Sequence, residues 1–355
     1  MKSLLFIATY MFASTAVIAS QELEWRDVDS KQVTKKIKEG VYQTVTSALV
    51  MQDGKPIYEA YFNGADSETL HDTRSVTKTV MSMAVGAAIE RGALPDQYVK
   101  VAPYFPAYRS LTEGDPRKEN IVVEDLLTMS NPLECDDWNN FSRGNEERMY
   151  LVEDPVNFFW SLPLRDYPTW MKPPAEQPHG RAFSYCTAGV QTLGMMLSQV
   201  ISQPVTSFVD EEIFAPAEIS AFKWQYSGSG VPSLGGGLLL TTSSLAKLAE
   251  LQRNGGQVGG HTVYSTEWSR ASVTPKASIP PHDKWLYGYL WWLQQYEVGG
   301  QKYTVAAMSG NGGNKVWILP DFNLTVVLTK TDYGRRGMHD AAQAFFDDEI
   351  VARLR

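Results

Sequence analysis

Apolar and polar positions alternate most clearly near the two ends of the chain, which predicts strands there. Two β-rich runs, 47–51 and 57–61, flank Asp53-Gly54, and an Asp-Gly pair between such runs is typical of a β-hairpin. Further strand-like runs lie towards the carboxyl end, at 287–293, 302–308, 315–319 and 324–329. Both ends of the chain are therefore expected to contribute to a sheet.

Helical patterns dominate the middle of the chain. The segment 73–91 is rich in Val, Met and Ala, and Gly92 follows it, so we expect a helix that is apolar nearly all round and buried. The stretch from about 95 to 230 is proline-rich and irregular, with helical patches in it. Shorter helices are predicted at 30–39, 121–129, 188–201, 242–251 and 340–354.

This order of elements predicts an α/β fold with an inserted helical lobe. The economical arrangement is one antiparallel sheet built from both chain ends and flanked by helices. The expected boundaries are 21–100 plus 231–355 for the α/β lobe and 101–230 for the mostly helical lobe. The length of 355 residues also favours two lobes over one core.

Residues 1–20 have the pattern of a secretory signal. Lys2 precedes an apolar stretch that runs to about Ile18, and small residues follow at Ala19 and Ser20, where cleavage is expected. The alternative is an uncleaved membrane anchor, for which the apolar stretch is short. We expect a periplasmic or secreted protein with no membrane span after cleavage, because no later stretch is sufficiently apolar.

Composition and charge exclude some classes of protein. With 43% hydrophobic and 12% aromatic residues the chain is not a disordered one. A net charge of −8 without a Lys/Arg run argues against nucleic-acid binding. In an oxidising compartment the two cysteines, Cys135 and Cys186, favour a disulfide over two separate buried thiols. No zinc-binding pattern is present, so we expect no metal.

The search for catalytic motifs leaves one pattern. The chain has no GxSxG elbow, no phosphate-binding loop and no GxGxxG, and its five histidines are scattered, although a spatial Ser-His-Asp triad stays open. The string SxxK occurs three times, at 75–78, 220–223 and 244–247. The second lies in a polar connection and the third is expected to cap a helix. Only the first opens a buried helix.

The position of Ser75 gives this first copy a chemical meaning. A serine in the first helical turn faces unpaired backbone N–H groups, and Lys78, three residues on, lies on the same face of the helix. Burial disfavours the charged amine, so Lys78 is able to accept a proton near neutral pH. The alternative is a capping serine with its lysine in solvent.

Two further motifs and two supporting segments accompany this pattern. Tyr185-Cys186-Thr187 precedes a helix, and the glycine-rich stretch 309–313 lies between two predicted strands. Segments 123–130 and 235–246 resemble stretches that flank an active site. Together with SxxK they resemble the serine β-lactamase-like family, which includes class C β-lactamases, D-alanyl-D-alanine peptidases, esterases and linear-amide hydrolases. The resemblance covers nearly all of the chain after the signal, and implies a β-lactamase/transpeptidase-like fold.

The resemblance also implies roles for single residues. Ser75 would be the nucleophile, Lys78 its base, and Tyr185 would share in proton transfer. The glycine-rich turn would supply an oxyanion donor, placed at Asn311 and paired with the amide of Ser75. The other expected contributors to the oxyanion or substrate site are Gly310, Gly312 and Thr187. A Cys135–Cys186 disulfide would brace the rim beside Tyr185.

Two departures from the family pattern shape the expected function. Thr187 stands where β-lactam-hydrolysing members usually have asparagine, and 309–311 is Ser-Gly-Asn in place of Lys-Thr-Gly. Losing that lysine removes a charge-assisted contact to a substrate carboxylate, worth roughly 1.5–3 kcal/mol. This favours esters or uncharged linear amides over β-lactams and over peptides with a free carboxyl terminus. Candidate pocket-wall residues are Trp138, Trp160, Tyr167, Trp170, Trp291 and Trp292.

The sequence therefore predicts an exported serine hydrolase that cleaves a small-molecule ester or amide through an acyl-enzyme, without a cofactor. Within the same class the alternative is a β-lactamase or a D-alanyl-D-alanine carboxypeptidase. Outside it, the alternative is a catalytically silent binding protein with the same fold, against which the joint presence of Ser75, Lys78 and Tyr185 argues.

Overall fold

A nine-stranded sheet joins the two ends of the chain in the computed structural model, which describes residues 22–167, 169–170, 181–279 and 282–355. The predicted signal, residues 1–20, lies outside the described residues. The strands are β1 (Val45–Gln52), β2 (Lys55–Tyr61), β3 (His71–Asp72), β4 (Arg181–Ala182), β5 (Phe222–Trp224), β6 (Leu238–Leu240), β7 (Gln257–Val258), β8 (His261–Thr262), β9 (Ala277–Ile279), β10 (His282–Tyr287), β11 (Trp292–Val298), β12 (Gln301–Gly310), β13 (Asn314–Leu319) and β14 (Leu324–Lys330).

The order of strands in the large sheet is β2-β1-β14-β13-β12-β11-β10-β9-β4. All neighbours are antiparallel except β4, which runs parallel to β9. The first strand therefore pairs with the last, as the sequence predicts. Two smaller sheets, β3-β6-β5 and β7-β8, complete the strand pairing.

The helices lie on both faces of the sheet and in the long middle region. They are α1 (Asp27–Lys38), α2 (Val76–Glu90), α3 (Arg109–Thr112), α4 (Pro116–Glu119), α5 (Val123–Leu127), α6 (Glu146–Met149), α7 (Pro155–Ser161), α8 (Thr187–Val200), α9 (Val205–Val209), α10 (Thr242–Arg253), α11 (Thr266–Ser272) and α12 (Met338–Glu349). No helix among the described residues is long and apolar enough to cross a bilayer.

Both faces of the sheet are buried, and successive residues of a strand point to opposite faces. In β1, Leu49 belongs to the large core cluster on the α2 side, whereas its neighbours Ala48 and Val50 belong to the second cluster, which also contains Phe345 and Phe346 of α12. This alternation follows from the two-residue period of a strand. The predicted fold class, an α/β fold with an antiparallel sheet from both chain ends, is confirmed, whereas the predicted lobe boundaries stay a prediction.

One predicted strand is wrong. The run 287–293 spans the end of β10, a turn and the start of β11, and Leu290 in that turn has a left-handed φ of 59°. The run resembles a strand because Tyr289 and Trp291 of the turn are fully buried, and an apolar run cannot distinguish a buried turn from a buried strand. The other predicted C-terminal strands match β12, β13 and β14 to within two residues.

Helix α2 is the element that places the SxxK motif. Its residues Val76 to Ala88 are all buried, as its nearly uniform apolar pattern predicts. Near its middle, Gly86 lies against the indole of Trp268, and a Cβ at that position would come within 2.2 Å of the ring. The indole N–H donates to the carbonyl of Ser82 at 3.2 Å, which holds the ring against the helix.

We therefore expect Gly86→Ala to destabilise the protein, although alanine is the better helix former. Helix propensity alone predicts a gain of about 1 kcal/mol. The overpacking against Trp268 reverses the sign and lowers the free energy of unfolding by about 1–3 kcal/mol. Urea denaturation followed by tryptophan fluorescence measures the difference. Gly228→Ala, at an exposed site with open space around it, is the control and should change little.

Candidate active site

Ser75 lies at the turn that connects β3 to α2, immediately before the first residue of the helix. The preceding residue, Arg74, has a left-handed φ of 52°, a conformation that non-glycine residues seldom adopt. Opposite this turn, Gly310 at the end of β12 lies so close that a Cβ there would come within 2.0 Å of the Thr73 carbonyl oxygen. Only glycine at 310 lets the strand end approach the turn that carries Ser75.

Lys78 lies one helical turn after Ser75, and its amine points at the serine hydroxyl. Lys78 Nζ donates to Ser75 Oγ at 3.0 Å and to the carbonyl oxygen of Gly235 at 2.6 Å. The side chain is 1% exposed. Burial lowers the pKa of Lys78, while Glu146 and Asp137 act in the opposite direction because their negative charges favour the ammonium. The alternative arrangement, with the lysine in solvent, is absent.

The Gly235 carbonyl reaches Lys78 because position 235 has no side chain. A Cβ there would meet Thr187 Cγ2 at 2.5 Å, so any other residue would push the 235 segment away from α8. The glycine-rich stretch 235–237 thus supplies an acceptor that orients the amine. The resemblance in sequence identified 235–246 as a stretch that flanks the site. Nothing in the sequence indicated that the Gly235 carbonyl would orient the Lys78 amine.

Tyr185 lies two residues before the start of α8 and completes a group of three side chains. Its ring lies 5.1 Å below the amine of Lys78, and its hydroxyl interacts with the Ser75 hydroxyl. Burial is the main reason that its pKa is raised above the ordinary value, which keeps the phenol protonated. Trp138 stacks on the ring at a centroid distance of 5.6 Å. The structure therefore brings Ser75, Lys78 and Tyr185 together.

Two carboxyl groups, those of Asp137 and Glu146, lie next to this group and were missed in the sequence. The Thr187 hydroxyl lies 2.7 Å from Asp137 Oδ2 and 2.9 Å from Glu146 Oε2. A hydroxyl carries one hydrogen, so it donates to only one of two carboxylates at a time. Burial, followed by the charge of Glu146, raises the pKa of Asp137 to about 7. Tyr150 donates to Glu146 at 2.8 Å.

Thr187 itself is fully buried and faces these two carboxyl groups. It does not line the cleft that contains Ser75. The sequence gave no signal for Asp137 or Glu146, because they reach Thr187 from a separate loop and from α6. Thr187 therefore contacts two carboxyl groups of the cleft wall, and the substrate-binding role expected for it stays a prediction.

Cys135 and Cys186 form a disulfide, with Cα atoms 5.3 Å apart. Cys186 follows Tyr185 directly and caps α8, since its sulfur accepts from the Gly189 amide. Cys135 precedes Asp137 by two residues. The bond thus joins the loop that carries Asp137 and Trp138 to the segment that carries Tyr185.

The glycine-rich turn joins β12 to β13. Gly312 and Gly313 both have positive φ, 90° and 87°, which the tight turn requires. Gly310 and Asn311 line the cleft with Ser75, whereas the Gly312 amide is directed at the sulfur of Met338 at 3.2 Å. The Asn311 side chain accepts from the Gly334 amide, so it is held by the neighbouring loop. The oxyanion role of the Asn311 amide stays a prediction.

A cleft of about 570 Å³ contains these groups. Its walls include Trp138 and Trp292, two of the six aromatic residues proposed from the sequence. Trp160 and Trp291 are core residues, Trp170 is exposed, and Tyr167 lines a neighbouring pocket. Lys315 also lines the cleft and was missed, since it lies on β13, one strand away from the motif.

The other candidate motifs lie elsewhere. The Ser244 hydroxyl interacts with that of Thr241 at the start of α10, and Ser220 is exposed. His71 is buried among threonines, where burial lowers its pKa to about 4. Among the residues that the structure describes, no cluster of His, Cys, Asp and Glu is arranged to hold a metal ion.

Comparisons with known proteins identify the family and the fold. The model of the Beta-lactamase family matches residues 33–347. No curated protein matches the sequence as a relative. Among solved structures, a candidate 6-aminohexanoate-dimer hydrolase from Bacillus anthracis superposes with a TM-score of 0.71 at 15% identity, covering 89% of this chain and 80% of its own.

Two further structures have the same fold. A candidate beta-lactamase from Bacteroides dorei has a TM-score of 0.71 at 17% identity, covering 93% of this chain and 99% of its own. EstCE1, a hydrolase with promiscuous acyltransferase activity, has a TM-score of 0.65 at 16% identity, covering 89% and 97%. At these identities the likeness is one of fold.

The disulfide makes a prediction that concerns the stability of the site. Reduction should lower the free energy of unfolding by about 2–4 kcal/mol, because the bond closes a long loop in the unfolded chain. Urea denaturation with and without reductant measures the change. The double variant Cys135→Ala/Cys186→Ala should be equally destabilised and insensitive to reductant. Equal stability of the oxidised and reduced wild-type protein would contradict the prediction.

Proposed function

Since the chain belongs to the Beta-lactamase family, we propose that it is a serine hydrolase that cleaves an ester or a linear amide through an acyl-enzyme on Ser75. The observation that carries the proposal is the 3.0 Å contact between the buried amine of Lys78 and the Ser75 hydroxyl, at the edge of an open cleft. A silent binding protein has no need to bury an amine against a serine and a tyrosine.

In the first half of the reaction, Ser75 Oγ attacks the carbonyl carbon of the substrate and its proton passes to the neutral amine of Lys78. The resulting oxyanion is stabilised by the amides of Ser75 and Asn311. The bond from the carbonyl carbon to the leaving oxygen or nitrogen then breaks. The leaving group takes the proton from Lys78 through the Tyr185 hydroxyl, which regains one from the ammonium.

In the second half, water attacks the acyl carbon and the bond to Ser75 Oγ breaks. The water proton moves to the Lys78–Tyr185 pair and from there to Ser75, so that the acid leaves and the side chains return to their first state. Lys78 serves in both halves, because its amine lies within hydrogen-bonding distance of the oxygen that is deprotonated first and protonated last.

Esters and linear amides fit the site better than β-lactams. The strand motif 309–311 lacks the lysine of the family's Lys-Thr-Gly, and Thr187 replaces asparagine. Two structural neighbours are named as a 6-aminohexanoate-dimer hydrolase and a hydrolase with promiscuous acyltransferase activity, whereas a third is named as a beta-lactamase. A β-lactamase or D-alanyl-D-alanine carboxypeptidase is the alternative, and turnover of nitrocefin at rates comparable to those of esters would favour it.

We also propose that the protein acts outside the cytoplasm. The predicted signal at 1–20 and the Cys135–Cys186 disulfide both fit an oxidising compartment. Intact mass spectrometry of the expressed full chain gives the amino terminus and the oxidation state together. A mass that still includes residues 1–20 would contradict cleavage.

The nucleophile is tested with Ser75→Ala. The variant should lower kcat/KM for p-nitrophenyl butyrate by at least about 1000-fold, because no other group provides the attacking oxygen. A fluorophosphonate should label the wild-type protein on the peptide that contains Ser75. The matched control is Ser220→Ala, which removes the hydroxyl of an exposed SxxK serine. Wild-type turnover by Ser75→Ala would overturn the assignment.

The assignment of Lys78 as the base is tested through the pH dependence of kcat/KM. Only neutral Lys78 accepts the proton, and burial lowers its pKa, so kcat/KM should rise with pH to a plateau reached below the ordinary lysine range. Asp137, when ionised above its pKa of about 7, adds a negative charge that favours the ammonium, and replacing it by asparagine removes that charge. The pKa of Lys78 should therefore fall further, and the rising limb of the profile should move to lower pH.

The control for this experiment is Glu147→Gln, which removes the same charge from the exposed neighbour of Glu146. It should leave the rising limb in place, because surface charges are screened by solvent. A shift of the limb to higher pH in Asp137→Asn would contradict the assigned base.

A further inference from the structure

Lys315 is a buried cation that the proposed chemistry does not use. It lies on β13, directly opposite Ser309 of β12, and residues opposite each other in an antiparallel pair point to the same face of the sheet. Lys315 Nζ donates to Ser309 Oγ at 3.1 Å. The residue is 4% exposed, and it lines the same cleft as Ser75.

Lys315 forms no direct ion pair in the described part of the chain, although the charge of Asp340 on α12 acts on it at longer range and favours the ammonium. No carboxylate there lies within 4.0 Å of its amine, whereas the other buried lysine of this sheet, Lys330, pairs with Asp332 at 3.2 Å. Burying an ammonium without an anion is unfavourable. Burial lowers the pKa of Lys315 only to about 8, so the amine remains mostly charged at neutral pH.

The carboxyl groups that share the cleft do not fill this gap. Asp137 and Glu146 are bound by Thr187 and Tyr150, and Asp340 lies exposed on α12. The direct contacts of the Lys315 amine are instead the Ser309 hydroxyl and the ring of Trp285, whose centroid is 5.1 Å away, while His339 and Asp340 of α12 interact with it electrostatically. An aromatic wall with one cation behind it suits a ligand that has an apolar body and an acidic end.

The hydrogen bonds leave room for such an acid. The ammonium has three N–H donors and uses one of them on Ser309. Because Ser309 Oγ accepts that bond, its own hydrogen is free to point at a ligand. A carboxylate has two oxygens, so it is able to accept from the lysine and from the serine together.

This pair of donors lies beside the nucleophile. Ser309 is followed by Gly310, where a Cβ would come within 3.2 Å of the Ser75 amide nitrogen. A ligand that lies along the end of β12 therefore reaches both the Lys315–Ser309 pair and the Ser75 hydroxyl.

We propose that Lys315 and Ser309 bind a carboxylate of the substrate, so that the preferred substrates are esters or amides carrying an acid group near the scissile carbonyl. The proposal rests on the proposed function. With this site, β13 supplies the positive charge that β12 lacks, so the missing strand lysine no longer argues against acidic substrates, and the sequence argument against β-lactams then rests on Thr187. Lys315 is a specificity-determining residue here and takes no part in the proton transfers.

The experiment compares acidic and neutral esters of the same size. On the acyl side, the p-nitrophenyl monoester of glutaric acid is compared with p-nitrophenyl valerate. On the leaving-group side, 3-carboxy-4-nitrophenyl valerate is compared with the same neutral ester. Wild-type protein should prefer the acidic member of at least one pair in kcat/KM, and that preference should weaken as salt is added.

Lys315→Gln should reduce this preference by about 10- to 100-fold, the range expected for one charge-assisted hydrogen bond. The quantity compared is the ratio of kcat/KM for the acidic and the neutral ester within each variant, so that a general effect of the substitution on turnover cancels. Lys315→Arg keeps the charge and should restore most of the preference. The control is Lys302→Gln, which removes an exposed lysine of β12.

The outcomes separate the two proposals. If neither the wild-type protein nor Lys302→Gln hydrolyses any of these esters, the proposed function is contradicted. Turnover of the neutral ester by wild-type protein, with no preference for either acidic ester, would overturn the carboxylate site alone. The carboxylate site is also overturned if Lys315→Gln retains the wild-type preference while folding normally by circular dichroism.

Discussion

The contact between Lys78 and Ser75 depends on the exclusion of water from the lysine amine. In solvent the amine would hold its proton and could not act as a base at neutral pH. Helix α2 removes that solvent because it is apolar on every side, so that the residue one turn after Ser75 has no route to the surface. The Gly235 carbonyl fixes the direction of the amine, and the nearby carboxyl groups limit how far burial lowers its pKa.

Charge in the cleft is divided between two ends. Asp137 and Glu146 lie on the side of α6 and α8, and Lys315 lies on the side of β13. Ser75 lines the same cleft from the start of α2. In the proposed reaction the nucleophile and its base are close in sequence, whereas Tyr185 and the proposed carboxylate-binding Lys315 come from separate elements. Substitutions of Asp137, Glu146 or Lys315 can therefore change the substrate preference while Ser75 and Lys78 stay the same.

The sequence predicts the local parts of the molecule well, because they follow from short-range patterns. The β1–β2 hairpin, the buried helix α2, and the placing of Ser75 and Lys78 on one face all come from spacing within a few residues. Asp137, Glu146 and Lys315 could not be found this way, since only tertiary packing brings them to the cleft. The wrong strand at 287–293 has a related cause, because burial makes a turn as apolar as a strand.

The pairing of β1 with β14 has a consequence for biosynthesis. Val45 to Gln52 find their partners, Leu324 to Lys330, only when almost the whole chain has left the ribosome. Contacts so distant in sequence make folding slow, and they leave the early strand without its neighbour during translation. The helix that carries Ser75 is made early, but the strand end that closes against it arrives late. The cleft is therefore assembled only once synthesis of the polypeptide is nearly finished. A nascent chain that ends before β14 cannot form it.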